Sequence, residues 1–124
     1  MLSFPSAIKI FLCCQDTDMR KSFDSLAVLV KSIIHQNPLS GHIFVFCNRR
    51  ADRLKLLYWD RDGFAIWYKR LEKGVFTLPQ INLQINPRIN EESSVIEHRQ
   101  LMLMLEGVDI SSVRFKKRFA LKNI

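Results

Sequence analysis

Residues 40–76 read SGHIFVFCNRRADRLKLLYWDRDGFAIWYKRLEKGVF, and this stretch decides the fold. Three runs rich in β-branched and aromatic residues, His42–Cys47, Leu54–Trp59 and Phe64–Tyr68, each have strand length. The link between the second and third is Asp60-Arg61-Asp62-Gly63, where Asp62-Gly63 suits the positive φ angles of a tight hairpin. The first link, Asn48-Arg49-Arg50-Ala51-Asp52-Arg53, carries three arginines. The stretch predicts an antiparallel β-meander with cations on its turns and edges. Alternation along the strands sets Leu54, Leu56 and Tyr58 on one face. It leaves Lys55, Trp59, Trp67 and Lys69 interleaved on a second, partly wet face.

Outward from the meander, helices cover the sheet. Ile8–Cys13 is a short apolar run of strand character. Gln15–Asp18 then offers N-caps for a helix from Met19 to Ile34, whose apolar stripe is Phe23, Leu26, Val30 and Ile33. Asn37-Pro38 ends it, because a residue before proline is pushed out of the α region. Val75–Leu78 reads as a short fourth strand, and Gln80–Asn90 as an edge strand or extended loop. Ser94-Val95-Ile96-Glu97 has the form of a capping box for a second, C-terminal helix that runs to Glu106 and stops at Gly107. The expected fold class is α+β: an antiparallel sheet of three to five strands with the long helix across one face. Residues 1–110 form a single domain and 111–124 a basic tail.

The chain has 124 residues and a net charge of +7, and the excess is unevenly placed. Residues 49–73 hold eight basic groups against four acidic, and residues 111–124 hold five basic groups and no acid. A polyanion suits that pattern, and nucleic acid is the commonest. A basic surface that serves only solubility weighs about equally when charge alone is considered. The cation cluster tips the balance: Arg49, Arg50, Arg53 and Lys55, with Lys69 and Arg70 on the neighbouring strand, can pair with phosphates along a β-ribbon. In the tail, Arg114, Lys116, Lys117 and Arg118 extend that track. Trp59 and Trp67 offer a stacking platform for bases, but a large ring on a sheet is more often packed under a helix.

Other chemistries find little support. Cys13, Cys14 and Cys47 lack metal-ligand spacing and behave as small hydrophobes, which fits a reducing cytoplasm. His35, His42 and His98 are scattered. Asp62 is explained by its hairpin and Asp16 or Asp18 by capping, so a metal-dependent nuclease built on Asp60 or Asp62 is the weakest reading. No P-loop, dinucleotide fingerprint or Ser–His–acid arrangement is present, and no run has the length of a membrane span. The expectation is a non-enzymatic protein with no cofactor and no metal.

Several segments together resemble one family. Thr17-Asp18-Met19-Arg20-Lys21-Ser22-Phe23-Asp24-Ser25-Leu26 is similar to its opening motif. Ser40–Phe46, Arg49-Arg50, Asp52-Arg53, Lys55, Trp59-Asp60, Asp62-Gly63 and Tyr68–Glu72 follow, and Leu105-Glu106-Gly107-Val108-Asp109 is similar to its closing motif. The family is the TnpB accessory protein, the second open reading frame product of the insertion-sequence group numbered sixty-six. The resemblance covers most of residues 4–78 and resumes near Gln100. It implies a small bacterial protein that assists transposition beside a separate transposase and has no established catalytic residues. Ser22 departs from the usual glycine, and Gln80–Ser93 is longer and richer in asparagine than the pattern. The functional expectation is DNA binding through the basic meander together with the transposase. The alternative is a module that docks on the transposase without touching DNA.

Overall fold

The computed structural model describes residues 7–78, 88–90 and 92–106. Six strands form one sheet among them: β1 (Ile10–Cys13), β2 (Ile43–Cys47), β3 (Arg53–Asp60), β4 (Gly63–Arg70), β5 (Arg88–Asn90) and β6 (Ser93–Ile96), in the order β4-β3-β2-β1-β6-β5. The meander stands as read, since β2, β3 and β4 pair antiparallel in sequence order. The sheet as a whole is mixed and six-stranded, which corrects the expectation of an antiparallel sheet of three to five strands. β1 runs parallel to β2, with Ile10 beside Ile43 and Leu12 beside Val45, while β6 pairs antiparallel on its other side. Parallel neighbours need a long crossover. The helical segment between β1 and β2 supplies it.

That segment is shorter than its sequence stripe. The α-helix α1 covers Phe23–Leu29 and continues as a π-helical turn over Val30–Ile34. It starts at Ser22, whose N–H donates to Ser25 Oγ at 2.9 Å. Met19–Lys21 stays outside because the Met19 and Lys21 carbonyls accept from Lys55 Nζ. The end comes three residues before Pro38, at His35 with φ +60°. The N–H groups of His35 and Gln36 both return to the Val30 carbonyl there.

Both faces of the sheet are covered, which overturns the partly wet second face. Phe11, Phe44, Phe46 and Leu57 pack with Leu26, Val30 and Ile34 of the first helical segment. On the opposite face Ile10, Leu12, Ile43, Val45, Leu54 and Leu56 pack with Leu101, Met104 and Leu105 of the second helix, α2 (His98–Leu105). The continuous apolar runs of β1 and β2 follow from this position, since central strands under two helices have no solvent face.

Four local expectations shift. Ser93–Ile96 is strand rather than helix cap, held by its pairing with β1. α2 instead begins after Glu97, whose N–H donates to Gln100 Oε1 at 2.8 Å. In the β3–β4 hairpin Gly63 pairs with Asp60, and the positive φ falls on Arg61 at +57° rather than on Asp62-Gly63. Val75–Leu78 is not a strand, although Phe76 is buried and its N–H donates to the Ala51 carbonyl at 2.6 Å. Of the edge segment 80–90, Arg88–Asn90 is a strand at the sheet edge, and 80–87 lies outside the described residues. So does the tail 111–124 with Arg114, Lys116, Lys117 and Arg118. No helix among the described residues is long and apolar enough to cross a membrane.

Candidate nucleic-acid interface

The β2–β3 loop is built around Asn48. Its side-chain oxygen accepts from the N–H groups of Asp52 (3.1 Å) and Arg53 (3.0 Å), and its Nδ2 donates to Asp52 Oδ1 at 2.7 Å. The backbone closes the same circle through Asn48 N to Arg53 O and Ala51 N to Asn48 O. This turn needs Ala51 at φ +57°, in the left-handed region. Two further bonds fasten it from outside: Leu71 N to Asp52 O at 2.7 Å and Phe76 N to Ala51 O at 2.6 Å. A short loop with its polar groups satisfied this fully is a fixed platform. It presents Arg49 and Arg50, both exposed.

Facing it is the segment from Asp16 to Lys21. Thr17 N donates to Cys47 O at 2.9 Å, which ties the segment to the end of β2. Asp18 Oδ1 accepts from Arg20 N, and its carboxylate grips the Arg20 guanidinium at 2.6 Å. That guanidinium holds the Asp18 carboxyl down at about 2. Between the two walls lies an open cleft of about 610 Å³, lined by Arg20, Arg49, Arg50 and Arg53 together with Asp16, Asp18 and Asp52. Asp52 is likewise held below the usual carboxylate range, chiefly by the Asn48 amide.

The expected contact residues divide into three groups. Arg49, Arg50 and Arg53 share the cleft. Arg53 stands directly across from Arg70 on β4; its Nη1 donates to Tyr68 Oη at 3.2 Å, and Arg70 pairs with Glu72 at 2.7 Å. Lys55 and Lys69 are corrections. Lys55 is only 7% exposed, and its Nζ donates to the carbonyls of Met19 (2.8 Å) and Lys21 (2.6 Å) with the Tyr68 ring 4.7 Å away. It cannot meet a phosphate without leaving that cage. Lys69 Nζ donates to Leu105 O at 2.8 Å, capping the C-terminal end of α2, where a cation complements the helix dipole. The two lysines also lie on opposite faces, because the register sets Lys55 across from Tyr68 and Lys69 across from Leu54. Trp67 packs against the core beneath α2, which removes it as a free stacking platform, and Trp59 meets Phe64 edge-on.

Arg20 is the cleft residue that charge counting along the meander misses, because it lies 29 positions before Arg49 in the sequence. The signal for it is the segment Thr17–Lys21, which carries part of the family resemblance. A family model described as IS66 Orf2-like protein matches residues 8–115. The chain belongs to the IS66 Orf2-like family. Two relatives from Sinorhizobium fredii (strain NBRC 101917 / NGR234) are similar over nearly their whole length. Uncharacterized protein y4hO is 32% identical over 109 residues, covering 88% of each chain. Uncharacterized protein y4jC is 33% identical over 119 residues, covering 94% of this chain and 92% of its own. No solved structure matches the chain. In this IS66 Orf2-like protein the opening segment 17–20 and the Arg49–Arg53 segment form the two walls of one cleft.

Proposed function

We propose that this IS66 Orf2-like protein is a non-catalytic accessory factor for transposition of an insertion sequence, holding the phosphate backbone of element DNA in the arginine cleft beside the transposase. One observation carries the reading. Arg20, Arg49, Arg50 and Arg53 line one open cleft, and Arg49 and Arg50 stand exposed on its loop wall. Guanidinium groups suit phosphate because their planar fork bonds it bidentately. In this reading the chain contributes positioning and no bond-making step.

A second reading has its own support. Three carboxylates share the cleft with the arginines, and such mixed lining suits a protein surface bearing both signs. The transposase is the partner this reading names, with no direct DNA contact.

Fluorescence anisotropy on labelled duplex separates the two, using element ends and random sequence across a salt series, with and without transposase. The Arg49→Ala/Arg50→Ala double variant should bind DNA more weakly. Its log affinity should depend on log salt less steeply, by about 0.9 for every phosphate it no longer neutralises. A folded double variant that binds as the parent does rejects the cleft as the DNA site. Binding seen only when transposase is present selects the second reading.

A further inference from the structure

α1 presents a second surface, remote in composition from the arginine cleft. Asp24, Ala27, Val28 and Lys31 line one side of a groove of about 270 Å³, and Pro38, Leu39 and Phe64 line much of the other. Large apolar side chains are open to solvent here: Val28 is 60% exposed and Leu39 52%. Phe23, next to Asp24, is 45% exposed. Isolated exposed apolar residues need no explanation, but Val28 and Leu39 line the same groove.

The charges on this flank are arranged to answer one another. Asp24 on α1 and Lys31 on the π-helical turn that continues it are both exposed and lie seven residues apart, beyond the reach of the three- and four-residue pairs that form along one helix. They are equally far from a point between Ala27 and Val28. If a second α1 is laid antiparallel over that point, each Asp24 falls opposite the other copy's Lys31. The exposed Val28 and the small Ala27 then sit at the axis. A two-fold interface requires such self-complementarity: where residue i meets j, j must also meet i. Ala27 allows close approach of the helices, and each groove beside α1 can receive apolar side chains from the opposing copy.

We propose that the Asp24–Lys31 flank of α1 and the π-helical turn continuing it is a self-association surface, and that its occupant is a second copy of this chain packed antiparallel about Ala27 and Val28. The two reciprocal pairs fix the register, and burial of Val28 and Leu39 supplies the attraction. The surface uses none of the cleft arginines, so its failure leaves the DNA reading untouched, and the reverse also holds.

Sedimentation velocity over a range of protein concentrations tests this, with circular dichroism confirming the fold of each variant. The parent should show a concentration-dependent monomer–dimer equilibrium that weakens at high salt. Asp24→Lys or Lys31→Asp alone places like charges opposite each other twice per dimer and should weaken association roughly tenfold or more. The double exchange Asp24→Lys/Lys31→Asp restores both pairs and should return the dimer. Val28→Glu should abolish it. A parent that stays monomeric at several hundred micromolar overturns the proposal. So does a dimer indifferent to the single reversals, or one that the double exchange fails to restore. Association with transposase that responds to these variants while the chain alone stays monomeric assigns the groove to that partner and likewise overturns it.

Discussion

Replacing Lys55 by methionine separates what its sequence position suggests from what its surroundings impose. Methionine keeps most of the buried stem and removes the ammonium. Two charge-assisted hydrogen bonds, to the Met19 and Lys21 carbonyls at 2.8 and 2.6 Å, disappear. Each such bond is worth about 1.5–3 kcal/mol net. Removal of the cation from the Tyr68 ring adds to that, and release from burying a charge offsets part of it. Met19 and Lys21 are only half-buried, so water can reach their freed carbonyls and limit the loss. The expected net destabilisation is about 2–3 kcal/mol, a large share of a domain's total stability. Urea unfolding followed through Trp59 and Trp67 fluorescence should show a midpoint lower by roughly 1–1.5 M. Had Lys55 been a surface phosphate ligand, stability would change by no more than about 0.5 kcal/mol and the salt slope of DNA binding would drop by about 0.9. An unchanged urea midpoint together with a shallower salt slope would refute the cage.

Lys69→Met should cost about 0.5–1.5 kcal/mol, because it frees one carbonyl at the end of α2, and should leave the salt slope of DNA binding unchanged. Urea titration and anisotropy on one preparation read both. Alkylation of the native protein should modify Cys14 and spare Cys13 and Cys47, with all three reacting in denaturant, as mass spectrometry of the adducts would show. Burial protects the latter two and pushes the Cys47 thiol up to about 11. His42 Nδ1 accepts from Lys9 N at 3.0 Å, so the fold favours the neutral ring. Its folded value lies below the ordinary 6.5 through burial and the nearby Lys9 charge. That stability is therefore present above about pH 6.5 and lost as the pH falls through the lowered value. The urea midpoint should drop on going from pH 7.5 to 5.5, by less in His42→Gln; equal drops in both would contradict this.

The fold is legible where local patterning and tertiary pairing agree. Alternating residues in 53–70 with Asp-Gly at the turn announce β3 and β4, and both strands stand where expected. Alternation identifies two faces but not whether each is covered. It assigns Lys55 to a wet face because Leu54 and Leu56 flank it, yet α1 packs on that side. Likewise, grouping Lys55 with Lys69 requires the cross-strand register, which places Trp67 beside Leu56 and is set by the hairpin's two-residue loop. The Ser94–Glu97 pattern fails for a similar reason. Its residues satisfy cap chemistry locally, but β1 offers them a full ladder, and the cap moves on to Glu97 and Gln100. The parallel β1–β2 pair leaves no local signal, since both strands read as plain apolar runs. Of the site, the Arg49–Arg53 wall is visible in composition and the Arg20 wall is not.

Lys55 explains why those two walls belong together. A helix reaching back to Met19 would spend the Met19 and Lys21 carbonyls on its own ladder. The buried ammonium takes them instead, and the chain from Thr17 to Lys21 is held as a turn, with α1 delayed to Phe23. The turn lets Asp18 fold onto Arg20 and keeps both beside the cleft, while Thr17 is tied to β2 at the point where the arginine loop begins. One strand thus serves both walls. Arg53 at its start lines the cleft directly, and Lys55 two residues later fixes the opposite wall from beneath. A cation selected only for attraction to DNA would gain nothing from burial under α1. A cation that shortens a helix to shape the cleft needs that burial, and this accounts for the buried lysine.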